Sequence, residues 1–422
     1  MTDAILSKIR RAIPAKLFNK LQPAYHWTLA FLAALWYRFP SRKIKIMGVT
    51  GTKGKSSTVE IINAMLEEAG YKTAVSNTIR FKVGDISSEN LFKMSMPGRF
   101  AVQKLIRKAV NNKCTYMVIE MTSQGALLYR HRFIELDAFI FTNLSPEHID
   151  AHGSYENYID SKVSIARNMK RSHKKDRVIV TNADDKESYR FTECTAERRL
   201  SFGKKDAEPF TLQREGLSFT YEGRTVTSHL SGLFNLYNIL AAATAARSQG
   251  ISTEEIIRAV EKFDGIPGRV QKIEAGQDFT VVVDYAHTAD SLEKLYEVFQ
   301  SSQNICVLGG TGGGRDTGKR AVMGKIADEY CDSIILTNED PYDEDPNKIV
   351  ADVAKGIVSQ APTIIMDRRA AIAEALRRAQ TGDTVLITGK GTDPFIMGPK
   401  GTKTPWSDAR VAREELKKLQ HS

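Results

Sequence analysis

The sequence predicts an α/β protein: a central P-loop ATPase-like domain on a parallel sheet, then a C-terminal Rossmann-like, doubly wound domain, with a short helical segment in front. Three observations predict it. A strand-like run over 44–49 leads into Gly51-Thr52-Lys53-Gly54-Lys55-Ser56, and a helical run follows over 57–69. Strand, glycine loop, Lys-Ser and helix in that order form a phosphate cradle. Short apolar runs then alternate with helical periodicity along most of the chain. Finally, the turn cluster Gly265-Ile266-Pro267-Gly268 interrupts the alternation, which restarts beyond it.

Residues 1–43 form the first segment. Its apolar run, Trp27 to Tyr37, follows a basic amphipathic start and precedes Arg38, Arg42 and Lys43. The run is short for a bilayer span, and no small-residue cleavage site accompanies it. Two readings stay open: a helix packed on the body of the protein, or a helix lying on a membrane surface with Trp and Tyr at the interface. The central domain is expected over 44–264. Its strands fall at 44–49, 116–121, 138–142 and 178–181, and its helices at 57–69, 100–111, 155–171 and 184–191. Residues 198–230 change to short strands with Glu-Gly turns, expected to be antiparallel, before helices at 235–248 and 253–263. The C-terminal domain is expected over 265–422, with strands at 280–284, 304–309, 333–337, 363–366 and 384–388. Helices are expected at 291–300, 319–330, 346–359, 369–380 and 407–419.

Composition bounds the function. The chain's 422 residues, 42% hydrophobic and 26% charged, suit two or three globular domains. A formal charge of +10 arises from 60 basic residues interleaved with 50 acidic ones, without a basic aromatic stripe or a zinc-finger spacing. That pattern favours anionic small substrates over nucleic acid. The four cysteines lie far apart with no CxxC pair, so no disulfide framework is expected, Cys306 reads as a core residue, and a reducing cytoplasm fits.

The chemistry starts at the glycine loop. Gly51 and Gly54 let backbone N–H groups approach phosphate oxygens, with Thr52, Lys53 and Ser57 around them. Lys55 can reach the β/γ oxygens, and the Ser56 hydroxyl suits Mg²⁺. The spacing is unusual, because the common form would place its first glycine at Val49. Glu120 ends an apolar strand, where a carboxylate beside a phosphate loop is placed to bind Mg²⁺; a helix-capping Glu is the plainer reading. Thr142-Asn143-Leu144-Ser145-Pro146-Glu147-His148-Ile149-Asp150-Ala151-His152 follows the next strand and gathers two histidines and two carboxylates, consistent with metal or phosphate chemistry or with a solvated loop.

These segments, with Asp284-Tyr285-Ala286-His287-Thr288 further on, stand in the order seen in the Mur ligase family, ATP-dependent amide-bond ligases of peptidoglycan precursor synthesis. The chain resembles that family, and most its tripeptide-forming branch, over about residues 44–420. The resemblance implies ATP and Mg²⁺ as cofactors and small molecules as partners, with the chain acting as a monomer. It implies that Ser56, Glu120, His148 and Lys162 hold metal, the lysine as a carbamate formed with CO₂. Lys162 must be deprotonated to react with CO₂, so its site should be desolvated. It further implies that Asn235 meets adenine, that Arg269 and His287 lie near the phosphates, and that Asp284 binds ribose. Ser95, Met96 and Pro97 stand where the family contacts the muramoyl part of the acceptor; Thr122, Ser123 and Arg130 are expected near that substrate. Arg320 is a candidate for the incoming amino acid's carboxylate. Glu339-Asp340-Pro341-Tyr342 replaces the Asp-Asn-Pro-Arg of diaminopimelate-adding members, which favours an incoming basic amino acid such as lysine. Gly391 and Asp393 belong to the same expected site, within Gly389-Lys390-Gly391-Thr392-Asp393. The family's domain for the uridine diphosphate end has only residues 1–43 in its place, which leaves open how the acceptor is held. A folylpolyglutamate-type ligase and a non-catalytic nucleotide-binding scaffold are the competing readings.

Overall fold

The computed structural model describes residues 15–146, 152–314 and 317–420. The chain divides into two compact units, one of residues up to Asp206 with Tyr237–Val260, the other of Ala207–Leu236 with Glu261 onward.

The first unit holds an eight-stranded sheet. In chain order its strands are β1 (Lys45–Thr50), β2 (Thr73–Ser76), β3 (Arg80–Val83), β4 (Ile86–Glu89), β5 (Tyr116–Glu120), β6 (Ala138–Phe141), β7 (Val178–Asn182) and β8 (Arg198–Phe202). They lie side by side as β4-β3-β2-β5-β1-β6-β7-β8. All pairs from β2 to β8 are parallel, whereas β3 and β4 add an antiparallel edge. Strands β2, β5, β6 and β7 are buried along their whole length, as the interior of a parallel sheet with helices on its faces requires. Strand β4, Ile-Ser-Ser-Glu, is exposed throughout. Strands β2–β4 carry no strong apolar run and are absent from the sequence expectation. The helix expected over 184–191 shrinks to Tyr189–Thr192. Asn182 and Asp185 cause this by accepting the N–H groups of Asp184 (3.0 Å) and Glu187 (2.9 Å), side-chain turns that compete with helix.

Helix α1 (Ala15–Trp36) packs one side on the body of the protein. Ala30, Ala33 and Ala34 are buried, and Trp27, Phe31 and Phe39 ring Phe133 at centroid distances of 5.4, 5.6 and 6.4 Å. Arg107 of helix α3 (Arg99–Asn111; α2, Lys55–Glu68, precedes it) donates through Nε to Tyr37 O just beyond α1 at 3.0 Å. Tyr25, Leu32, Leu35 and Trp36 meanwhile face outward. No described helix is long and apolar enough to cross a membrane.

The second unit carries a three-stranded antiparallel sheet, β9 (Phe210–Leu212), β10 (Leu217–Tyr221) and β11 (Arg224–Ser228). The sequence division gave this segment to the central domain. Here Arg214 Nη1 donates to Gly382 O (3.2 Å) and Lys272 Nζ to Glu215 O (3.1 Å), tying it to the C-terminal residues. The main sheet comprises β12 (Gln271–Lys272), β13 (Thr280–Val283), β14 (Asn304–Leu308), β15 (Ser333–Leu336), β16 (Thr363–Ile364) and β17 (Thr384–Ile387), ordered β12-β13-β17-β14-β15-β16. All pairs but β12–β13 are parallel. Apolar layers on both faces, led by Leu308, Leu336 and Tyr296 on one and Val307, Ile372 and Leu416 on the other, make it doubly wound. A hairpin, β18 (Phe395–Met397) and β19 (Lys403–Pro405), follows β17.

The cysteine expectation needs correction. Cys306 in β14 and Cys331 just before β15 form a disulfide, their Cα atoms 6.0 Å apart. Neighbouring parallel strands bring them together across a sequence separation of 25 that gave no local signal. Cys114 and Cys194 are free and buried.

Candidate active site

Strand β1 delivers the glycine loop to the carboxyl edge of the first unit's sheet. Gly51 has φ +153°, and a Cβ there would lie 1.9 Å from Thr142 Oγ1; at Gly54, with φ +79°, it would lie 2.2 Å from Asn238 Oδ1. Both positions therefore demand glycine. The loop after β6 braces the turn: Thr52 N donates to Asn143 O (2.8 Å), Lys53 N to Asn143 Oδ1 (2.9 Å) and Thr142 Oγ1 to Lys53 O (2.8 Å). Lys55 Nζ folds back onto Thr52 O at 2.7 Å. Gly54 is the N-cap of α2 and offers no side chain to its first N–H groups, the arrangement that receives oxyanions. Ser57 is buried in the first turn of that helix.

The metal-side residues converge on this loop. Ser56 Oγ donates to Glu120 Oε2 at 2.8 Å. Thr78, between β2 and β3, holds the same carboxylate through its N–H (2.9 Å) and its hydroxyl (3.1 Å). Helix α5 (Tyr155–Arg167; α4, Ser123–Leu127, precedes it) brings in Lys162, which is 2% exposed. Its Nζ donates to Gly51 O at 2.6 Å and lies 4.7 Å from the Tyr158 ring centroid. Tyr158 OH in turn meets Thr52 Oγ1 at 2.9 Å. Oxygen donors from Ser56 and Glu120 side by side fit a hard divalent cation, and Lys162 has the desolvation that carbamate formation needs. His148 and Asp150 lie outside the described residues. His152 is buried, with Nε2 3.1 Å from Ser123 Oγ.

The expected acceptor residues adjoin this group. Ser95 Oγ lies 2.6 Å from Thr78 Oγ1, one side chain away from Glu120. Arg130 Nη1 donates to Met96 O. Thr122 caps α4, accepting from Gly125 N at 3.1 Å, and Gly125 leaves room for Met96, whose Sδ is 2.7 Å from where a Cβ would stand. Pro97 is half-buried, just before Gly98 opens α3.

In the second unit, Asp284 follows β13 and accepts from Val270 N (2.7 Å) and Ala286 N (2.6 Å), so it also fixes the turn that carries Arg269. Arg269 stacks on Tyr285, 4.3 Å to the ring centroid, and His287 Nδ1 lies 2.7 Å from Tyr285 O. Asn235 sits inside the first turn of its helix, with Nδ2 donating to Ser231 O (2.9 Å), and is no N-cap. Gly391 has φ +50°, and a Cβ there would press on Gly268 O and Tyr285 Cβ at 2.7 Å. Tyr342 has φ +52° and donates its N–H to Met397 O at 3.1 Å.

The amino-acid residues part company with expectation at two places. Arg320 is buried and committed: Nη1 and Nη2 form a fork on Glu344 (2.7 and 2.8 Å), and Nη1 also meets Asp352 at 3.2 Å. A substrate carboxylate would have to displace Glu344 or Asp352 from that fork. Asp340 is likewise engaged, its Oδ1 accepting from Lys390 Nζ (2.7 Å) and Met397 N (2.8 Å), while Lys390 also bonds Asp393 (3.0 Å) and Phe395 O (2.6 Å). Glu339 differs. It is buried, Oε1 accepts from Thr311 at 2.9 Å, and Oε2 has no hydrogen-bond partner among the described residues. Burial pushes its carboxyl up, against the pull of Arg368 and Lys390. Thr78, Asn143, Tyr158, Thr311 and Lys390 escaped the sequence reading of roles. Asn143 and Lys390 stood within segments already singled out.

The Mur ligase middle domain matches residues 49–246, and the Mur ligase glutamate ligase domain matches residues 268–391. The UDP-N-acetylmuramyl-tripeptide synthetase of a Roseiflexus species is 36% identical over 418 residues, covering 93% of this chain and 82% of that protein. The UDP-N-acetylmuramoyl-L-alanyl-D-glutamate–2,6-diaminopimelate ligase of Syntrophomonas wolfei is 35% identical over 404 residues, covering 92% and 81%. A solved structure of a ligase with that same name superposes with TM-score 0.63 at 27% identity, over 90% of this chain and 79% of that one. The Mycobacterium tuberculosis folylpolyglutamate synthase shares the fold, with TM-score 0.68 at 14% identity over 87% and 93% of the chains.

Proposed function

The chain belongs to the Mur ligase family, and on that premise we propose that it uses ATP to join an amino acid to the carboxyl group of a muramoyl-peptide-like acceptor. The observation that carries the reading is the gathering of Lys55, Ser56, Glu120 and Lys162 around one phosphate loop. Lys55 and the loop N–H groups orient the triphosphate. Ser56, Glu120, His148 and carbamylated Lys162 would hold Mg²⁺, which when bound offsets phosphate charge. An acceptor carboxylate oxygen attacks the γ-phosphorus and ADP leaves, giving an acyl phosphate. The amino acid's amine then attacks the acyl carbon, loses its proton, and phosphate departs. By the family resemblance, Asn235, Arg269, Asp284 and His287 are the second unit's candidate nucleotide-binding residues.

The incoming amino acid is basic. Among the described residues Glu339 Oε2 has no hydrogen-bond partner, and burial disfavours its charge despite Arg368 and Lys390, so a cationic side chain is the group that relieves it. Tyr342 stands where an arginine would clamp a second carboxylate. Amino-acid-dependent ADP release tests both levels, with UDP-N-acetylmuramoyl-dipeptide against folate as acceptor and basic against acidic amino acids as donors. Turnover with lysine or ornithine on the muramoyl acceptor is expected. Turnover with diaminopimelate but not lysine would overturn the donor assignment, and turnover on folate alone would overturn the acceptor.

A further inference from the structure

Helix α1 is apolar on two sides. From Leu21 to Trp36 it contains no Asp, Glu, Lys or Arg. One side rests on the protein: Ala30, Ala33 and Ala34 are buried, and Trp27 and Phe31 meet Phe133. The other side is bulkier. Leu21, Tyr25, Thr28, Leu32 and Leu35 recur at alternating intervals of four and three residues, which aligns them in one stripe along the helix, and Trp36 stands at its end. All six are exposed, Trp36 by 75%. The stripe is about 22 Å long at the helical rise. A helix that is apolar all round is normally enclosed, and a contiguous apolar stripe in water marks a contact surface.

Charge says what it contacts. Residues 1–43 hold eight basic residues and one acidic, Asp3, so they carry +7 of the chain's +10. No Asp or Glu stands between Asp3 and Glu60. Helix α3 packs beside α1, through Arg107 on Tyr37 O and Arg99 against His26, and it adds Lys104 and Lys108, again without an acidic residue. Arg38 and Lys43, just beyond the stripe, are exposed, whereas Glu135 takes Arg42. An apolar stripe with Tyr and Trp among its members, flanked by cations, fits the headgroup region of an anionic bilayer. A second copy of the chain fits worse, because pairing two stripes would bring two sets of like charges together. With its alanine side held by the protein, α1 lies along such a surface rather than through it.

We propose that the outward stripe of α1 holds the protein on the surface of an anionic lipid bilayer, with the leucines, Tyr25 and Trp36 among the headgroups and Arg38 and Lys43 on lipid phosphates. None of these residues belongs to the nucleotide or acceptor sites, so the contact stands whether or not the ligase reading does.

Vesicle flotation of the full chain tests the contact, with phosphatidylcholine vesicles containing about a third phosphatidylglycerol against phosphatidylcholine alone. The wild type should float with the anionic vesicles about 10-fold or more in preference to the neutral ones, and salt at about 0.5 M should release it. Leu32→Ser with Leu35→Ser should lower the partition about 10-fold or more, the scale of two half-exposed leucines withheld from the apolar layer. Arg38→Gln with Lys43→Gln should lower it about 10-fold on the anionic vesicles only. Both double variants should keep the wild-type melting temperature, because the replaced side chains are exposed. In the unsubstituted chain, lipid spin-labelled near the headgroup should quench fluorescence that Trp36→Phe removes, a readout that holds even if a double variant melts early. No flotation of the wild type with anionic vesicles, equal flotation by wild type and both double variants, or an unquenched Trp36 overturns the contact. A dimer in sedimentation that depends on Leu32 and Leu35, without flotation, makes the stripe an interface between copies and overturns it too.

Discussion

Lys162 carries the sharpest residue-scale test. In a helix that shows Glu156, Asp160 and Arg167 to solvent, it is buried and hydrogen-bonded to Gly51 O of the phosphate loop. Lys162→Ala should cut ADP release about 100-fold or more, the usual effect of deleting one charged or hydrogen-bonding group at a transfer centre. Short-chain carboxylic acids should restore part of it by supplying the missing carboxylate, and full activity in the variant would remove the carbamate from the mechanism. A second test concerns His131, buried with neither ring nitrogen hydrogen-bonded among the described residues and held down to about 3, first by desolvation and then by Arg132. The folded protein keeps this ring neutral while the unfolded chain protonates it near pH 6.5. Its contribution is therefore intact above pH 6.5 and is lost as pH falls from there toward 3, at up to ~1.4 kcal/mol per pH unit. Denaturant titrations of His131→Leu between pH 7 and 5 should show a shallower loss than the wild type. An identical slope would contradict the burial argument.

At the scale of elements, the second unit leans on an ion pair between two helices. Arg368 opens Arg368–Arg378 and Asp408 opens Asp408–Gln420. Their fork closes at 2.8 and 2.7 Å with both residues buried, and Trp406 Nε1 also donates to Asp408 at 2.7 Å. Arg368→Met would strand a buried carboxylate and should cost about 3–5 kcal/mol in denaturant melts. The double variant with Asp408→Leu should recover much of that. Elements with unbroken apolar runs were legible in the sequence: β5, β6, β14 and β17 fall within a residue of expectation because two buried faces demand such runs. Strands β2–β4 were not, since Thr-Ala-Val-Ser and Ile-Ser-Ser-Glu depend on their neighbours. Their omission also hid Thr78, which lies between β2 and β3 and holds Glu120. The same limit applies to Arg320 and Asp340. Sequence register shows that charges stand in the right segment, but only packing shows that Glu344 and Lys390 already occupy them.

For the whole molecule, the two units should melt as separable transitions that respond differently to nucleotide. A non-hydrolysable ATP analogue with Mg²⁺, at about 100 times its Kd, should add ~2.7 kcal/mol to the unit that carries Gly51–Ser56. Differential scanning calorimetry should show that transition rising by roughly 5–10 °C, the shift expected for a unit of this size, and Lys55→Ala should lose most of the rise. No shift would separate the loop from nucleotide binding. The deeper reason for the coupling lies in Gly54. A serine or aspartate at an N-cap closes its helix with its own oxygen, but no side chain fits at Gly54 against Asn238. Helix α2 thus begins on a residue with no side chain to cap it, and on the function proposed above a phosphate oxygen of the nucleotide would take that place. In that sense the substrate would act as a missing residue of the fold, one supplied afresh at every turnover.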